Sequence, residues 1–207
     1  MKTQHSILCC ITADSQCPVT QAEKALKGGA AMIQLRHKSA SGSELYNWAL
    51  DLKELCHAYN AICIINDRLD IALAADVDGV HLGQEDLPAS AARKLLDKNK
   101  ILGVSVSSVT EAEKAVQSGA DYVGLGHIYP TISKRKSGEP VGPERITEIA
   151  KNLAVPVIAI GGITDKNVCE VIRAGASGVA VISTVADAPD PEKAASSLIQ
   201  NMQSCLL

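Results

Sequence analysis

Several polar residues stand at the ends of short apolar runs, where side chains from distant parts of a chain can converge. Gln34-Leu35-Arg36-His37-Lys38 closes one such run, and period-two alternation puts Gln34, Arg36 and Lys38 on one side. An amide beside two cations can read a heteroaromatic ring and hold a multiply charged anion. A polar strand end in plain solvent uses the same residue types. Ile64-Ile65-Asn66-Asp67 and His81-Leu82-Gly83-Gln84-Glu85-Asp86 close two further runs. Carboxylates at Asp67 and Asp86 can share a hard divalent cation with phosphate oxygens, or each can cap the helix that follows. Asp70 reads as first-turn helix charge, and His81, inside its run, as a satisfied core histidine. Ser105 ends the next run with a hydroxyl that contacts a substrate or serves as a cap.

The stretch from Gly124 to Gly142 is long for a connection, and long connections often act as lids. Its Thr131, Ser133 and Lys134 suit a phosphate group, as they suit a solvated loop. Gly161-Gly162 and Ile182-Ser183 close the last two runs. Glycine lets backbone amides approach an anion closely, and it also serves tight turns.

The elements that must position these residues alternate regularly. Strands are expected at Ser6–Ile11, Met32–Arg36, Ala61–Ile65, Gly79–Leu82, Ile101–Ser105, Tyr122–Gly126, Val157–Ile160 and Gly178–Ile182. Helices are expected at Thr20–Lys27, Ser43–Tyr59, Asp70–Ala75, Ala89–Asp97, Thr110–Ser118, Pro143–Lys151, Lys166–Ala174 and Pro191–Met202. Leu45, Trp48, Ala49, Leu52 and Leu55-Cys56 show the helical spacing. A capping box is expected to begin at Thr110, and Pro143 and Pro191 suit first helical turns. Gly28-Gly29-Ala30, Gly119-Ala120 and Gly175-Ala176 recur at helix ends, where glycine can adopt a left-handed cap. Strictly alternating strands and helices favour parallel pairing. The expected fold is α/β, a single (β/α)8 TIM barrel over residues 1–207, with its active site at the C-terminal ends of the strands. No Gly-x-Gly-x-x-Gly follows the first strand, which weighs against a doubly wound open sheet.

Composition narrows the function classes. Lys and Arg number 20 against 23 Asp and Glu, for a net charge of −3, so general attraction to nucleic acid or to anionic membrane is not expected. No apolar run reaches the roughly 18 residues that span a bilayer. Met1 to Ile11 has no credible signal-peptide cleavage site and reads as a first strand. With Trp48, four Tyr and no Phe, the core must be aliphatic, as parallel barrels are. The seven cysteines are odd in number and irregularly spaced, with no Cys-x-x-Cys. They are expected as free thiols in a reducing cytoplasm.

Taken in order, Gln34-Leu35-Arg36-x-Lys38, Asn66-Asp67, Asp78-Gly79-Val80-His81-Leu82-Gly83-Gln84-Glu85-Asp86, Gly103-Val104-Ser105, Gly119-Ala120-Asp121-Tyr122-Val123-Gly124, Pro130-Thr131-x-Ser133-Lys134 and Ala159-Ile160-Gly161-Gly162-Ile163 resemble the thiamine phosphate synthase family. That resemblance spans nearly the whole chain. It implies condensation of hydroxymethylpyrimidine diphosphate with hydroxyethylthiazole phosphate, giving thiamine phosphate and pyrophosphate with Mg²⁺. It further implies that Gln34 reads the pyrimidine, with Ser105 beside it. Arg36, Lys38, Asn66 and Lys134 would grip the diphosphate, and Asp67 and Asp86 would bind the metal. Thr131, Ser133, Gly162, Ile182 and Ser183 would border the thiazole phosphate. Catalysis would rest on Arg36, Lys38, Lys134 and Ser105, in a homodimer.

Two positions depart from the family pattern. His127 replaces a proline and Lys136 an aspartate. Gly126-His127 resembles a sister family, the thiazole tautomerases, in which His127 would carry a proton during isomerisation of a carboxylated thiazole phosphate. A non-catalytic thiazole or thiamine phosphate sensor is the remaining alternative. Asp67, Asp86, Arg36 and Lys38 favour the synthase, because neither alternative has a diphosphate to bind.

Overall fold

The computed structural model describes residues 6–131 and 139–205. Eight parallel strands close into one barrel in sequence order. They are β1 (Ile7–Ile11), β2 (Met32–Leu35), β3 (Ile62–Asn66), β4 (Gly79–Leu82), β5 (Ile101–Val106), β6 (Tyr122–Gly126), β7 (Val157–Ile160) and β8 (Gly178–Val181). The helices among the described residues are α1 (Pro18–Lys27), α2 (Gly42–Ala58), α3 (Leu69–Ala74), α4 (Ala89–Leu95), α5 (Val109–Gln117), α6 (Glu144–Asn152), α7 (Val168–Arg173), α8 (Ser183–Ala186) and α9 (Pro191–Ser204). The α/β barrel expected from the alternation is the fold observed.

Strand parity sorts the core into two layers. Outward-facing Leu8, Cys10, Ile33, Leu35, Cys63, Ile65, Leu102, Val123, Leu125 and Val179 pack against the helices. Inward-facing Cys9, Ile11, Met32, Ile64, Tyr122, Ile158 and Ala180 fill the barrel. Each Leu or Ile removed from water in this way contributes roughly 2 kcal/mol. The same inward parity carries Gln34, Asn66, His81 and Ser105, so polar groups replace apolar ones toward the C-terminal ends of the strands.

Helix starts follow capping chemistry. At α2 the Ser41 hydroxyl accepts the Glu44 N–H, and the Glu44 carboxylate accepts the Ser41 N–H at 2.9 Å. The cap of α5 lies two residues before the expected Thr110: Ser108 accepts the Glu111 N–H at 3.2 Å. Val109 then opens the helix and packs on the core. Pro191 is the first residue of α9, as expected, whereas Pro143 occupies the cap position of α6. Gly29, Gly119 and Gly175 adopt positive φ at helix ends. The short α8 has no counterpart in the sequence expectation, since four residues are too few to show a period.

The expectation of free thiols throughout is overturned. Cys169 and Cys205 form a disulfide, leaving Cys9, Cys10, Cys17, Cys56 and Cys63 free. The cause is tertiary: α9 packs against α1, α7 and α8, which brings the cysteine ending α9 beside α7. A separation of 36 residues gives no such hint in the sequence.

Candidate active site

A cavity of about 470 Å³ opens within the barrel, and its lining residues come from strands and strand ends around the whole ring. Gln34, Arg36, Asn66, Ser105, His127, Thr131, Gly162, Ile182 and Ser183 all border it. Its walls between these groups are aliphatic, from Ile11, Ile158, Ile160, Ile163 and Ala180.

Arg36 follows β2 directly and is 9% exposed. It is fixed from β1: the Thr12 hydroxyl donates to the Arg36 carbonyl and accepts the Arg36 N–H, both at 2.8 Å. Its guanidinium lies 3.9 Å from the Asp14 carboxylate. Asp14 also accepts the Lys38 N–H at 3.2 Å, so one acidic residue organises the chain after β2. The Lys38 side chain is exposed and does not line the cavity, because the chain has left the strand and parity no longer aims it inward.

Asn66 ends β3 and lines the cavity, while the next residue, Asp67, is exposed with φ of 64°. The Asp67 N–H donates to the carbonyl of His81 at 2.8 Å, which keeps it on the β3–β4 side of the barrel mouth. Asp86 is half-buried in the turn after β4, where its carboxylate accepts the Gly83 N–H at 2.6 Å. Asp67 thus directly follows β3 and Asp86 lies in the turn after the neighbouring β4, and neither is among the residues that line the cavity. Among the described residues no group of three or more His, Cys, Asp or Glu side chains assembles.

The opposite side of the mouth is built from backbone. Gly161 and Gly162 have φ of 102° and 64°. A Cβ at Gly161 would sit 2.4 Å from the His127 Cβ, and one at Gly162 would sit 2.5 Å from the Pro130 carbonyl. Glycine is thus required for the β7 end to nest against the segment after β6, where the Ile128 N–H donates to the Ile160 carbonyl at 2.9 Å. Ser183 begins α8, and the Thr184 hydroxyl donates to the Ile163 carbonyl at 2.6 Å, tying the β8 end to the β7 end. Positive-φ glycines and a helix start present amides suited to an anion. Ser133 and Lys134 lie outside the described residues.

Sequence reasoning missed several contributors. Thr12 and Asp14 lie just after β1, in a polar stretch that reads as an ordinary loop. Tyr122 and His81 line the cavity floor and hydrogen-bond each other at 2.9 Å. His81 is satisfied, as its strand position suggested, but it also faces the cavity. Burial pushes the Tyr122 phenol well above its ordinary range, and burial likewise pushes up the Cys9 thiol on the same floor. Neither group is a nucleophile near neutral pH.

The thiamine monophosphate synthase family model matches residues 8–185. A thiamine-phosphate synthase of Chlorobium limicola is 59% identical over 196 residues, covering 95% of this chain and 93% of its own. One from Methanospirillum hungatei is 52% identical over 169 residues, covering 82% of each. The solved thiamine phosphate pyrophosphorylase from Pyrococcus furiosus superimposes with a TM-score of 0.91 at 38% identity, over 100% of this chain and 99% of that one. With its sequence, its barrel and its length so matched, this chain belongs to the thiamine monophosphate synthase family.

Proposed function

We propose that the chain is a thiamine phosphate synthase, a transferase that moves a pyrimidinylmethyl group from hydroxymethylpyrimidine diphosphate to the nitrogen of hydroxyethylthiazole phosphate, releasing pyrophosphate. The observation that carries this reading is one aliphatic cavity with polar ends on different sides of the ring. Gln34, Arg36 and Asn66 stand at one end, and Gly161, Gly162 and Ser183 at the other.

Breaking the bond from carbon to diphosphate requires that the leaving charge be neutralised. Arg36 can give two parallel charge-assisted hydrogen bonds to phosphate oxygens, and Asn66 adds an amide. Lys38, on the exposed chain after β2, and Lys134 would complete the cationic set by family resemblance. The ring nitrogen and amino group of the pyrimidine can delocalise the positive charge left on the methylene. Ser105 and Gln34 hold that ring, while Thr131, Ser133, Gly162, Ile182 and Ser183 hold the thiazole phosphate. The isoleucine walls exclude water that would otherwise capture the methylene cation. Positioning and electrostatics carry the reaction, with no covalent enzyme intermediate.

The donor set fits magnesium. Asp67 and Asp86 are hard oxygen donors on consecutive strand ends, and Mg²⁺ uses one or two carboxylates with water and substrate phosphates. Bound there, the ion would neutralise charge on the departing pyrophosphate. The family reading also makes the chain a homodimer of the cytoplasm that acts on small molecules, without nucleic acid or membrane partners. No helix among the described residues is long and apolar enough to cross a membrane.

The tautomerase and sensor readings are not carried forward. Relatives matched over most of the chain are named synthases. His127 packs where a side chain on Gly161 would otherwise lie, so its presence needs no proton-transfer role. Incubating the chain with both substrates and Mg²⁺ should yield thiamine phosphate, identified by mass. Absence of product at every metal concentration refutes the reading.

A further inference from the structure

The cavity floor holds two polar side chains for which the proposed reaction has no use, His81 on β4 and Tyr122 on β6. Both are buried, at 8% and 6% exposure. The His81 ring lies between two hydroxyls, with Nδ1 2.9 Å from the Tyr122 oxygen and Nε2 2.9 Å from Ser105 Oγ. The two rings are 5.5 Å apart and tilted by 33°. Gln34, on β2, borders the same cavity. Two barrel glycines make the room. A Cβ at Gly103 would meet the Tyr122 ring at 2.1 Å, and one at Gly124 would meet the His81 ring at 2.9 Å. The floor is therefore built around a polar chain that runs from Tyr122 through His81 to Ser105.

Such a chain has a direction. A phenol and a neutral imidazole each carry one polar hydrogen. The hydrogen bond that the Tyr122 phenol makes within this chain is to His81 Nδ1, so its one hydrogen is directed there. His81 then carries its own hydrogen on Nε2 and gives it to Ser105 Oγ. The Ser105 hydrogen is thereby turned into the cavity as a donor. The reverse direction makes Ser105 an acceptor.

We propose that His81 is a positioning residue, locked by Tyr122 as the Nε2–H tautomer, which makes Ser105 a hydrogen-bond donor toward the pyrimidine. This deepens the synthase reading and rests on it. A donor there matches an aminopyrimidine, whose ring nitrogen accepts. A pyrimidinone, with a ring N–H in that place, opposes the donor and is disfavoured.

The tautomer is read by ¹⁵N spectra of the histidine-labelled, substrate-free chain, with His81 assigned by the signal lost in His81→Gln. Nδ1 is expected without hydrogen and Nε2 with it; an Nδ1–H tautomer overturns the proposal. In kinetics, Tyr122→Phe and His81→Leu should each raise KM for the pyrimidine diphosphate about tenfold, the cost of one misdirected hydrogen bond, with little change for the thiazole phosphate. His81→Gln can place an amide donor near the Nε2 position and should recover most of that loss. Equal defects in the Leu and Gln variants, or equal changes in both KM values, overturn it. Because the spectrum needs no turnover, failure of the tautomer is distinguishable from failure of the synthase reading, which would appear as an inactive wild type.

Discussion

The Asp86 carboxylate closes the turn after β4 by accepting the Gly83 N–H at 2.6 Å. One carboxylate oxygen is thus committed to the fold, while the group as a whole stays half-buried at the barrel mouth. The two duties separate on substitution. Asp86→Asn keeps an oxygen acceptor for Gly83 but loses the charge that would hold magnesium. Turnover should fall by at least about a hundredfold, as expected when several kcal/mol of charge stabilisation is removed. Thermal unfolding should change little. Steady-state rates across a magnesium titration, with melting curves alongside, check both halves.

Gly103→Ala tests the packing of the cavity floor. The added methyl would overlap the Tyr122 ring at 2.1 Å, so the ring or the β5–β6 backbone must shift to admit it. Overpacking of this kind costs about 1–3 kcal/mol. Urea unfolding should show a loss of that order; unchanged stability would mean that the floor is looser than described.

How far the molecule could be read from its sequence follows from which signals are local. Alternating apolar runs such as Met32–Leu35 and Val157–Ile160 announced the barrel, because parity and length are properties of the runs themselves. Gln34, Arg36, Asn66 and Ser105 were legible as site residues because they sit at the ends of those runs. The roles of Asp14 and Tyr122 were not, since each depends on what a neighbouring strand places beside it. Asp14 reads as an ordinary loop acid until Arg36 and Lys38 are seen next to it. Lys38 illustrates the limit of alternation: the period that aims Gln34 inward ends with β2, three residues earlier.

The thiols should behave unequally. Under denaturing, non-reducing conditions, titration should find five free thiols, with Cys169 and Cys205 paired. In the folded chain Cys17 should be alkylated first. It is exposed, and a backbone hydrogen bond from Thr20 lowers its pKa, whereas Cys9 and Cys10 are buried and shifted upward by that burial. Reducing the disulfide should cost about 2–4 kcal/mol of stability and leave turnover intact, because neither cysteine lines the cavity. Mass mapping of labelled peptides and melting curves with and without reductant decide this.

Asp76 sets an acid limit on part of the stability. Lys100 and Lys53 hydrogen-bond its carboxylate and hold its pKa down to about 2. The group favours the folded state once it is ionised, so its contribution is complete above the ordinary carboxylate pKa and disappears as pH falls toward 2. Asp76→Asn should therefore melt below wild type at neutral pH, with the gap closing between about pH 4 and pH 2. The gap should also shrink in high salt, because the cluster is exposed. A gap independent of pH would assign the effect to the turn at Asp76 instead of its charge.

The account depends most on the cavity using metal-assisted departure of pyrophosphate to join two substrates. Continuous detection of pyrophosphate addresses this directly. Release should require the pyrimidine diphosphate, the thiazole phosphate and Mg²⁺ together, should stop on chelation and should return when Mg²⁺ is restored, with one thiamine phosphate formed per pyrophosphate. Release that ignores the chelator, or conversion of the thiazole phosphate without any diphosphate present, would contradict it.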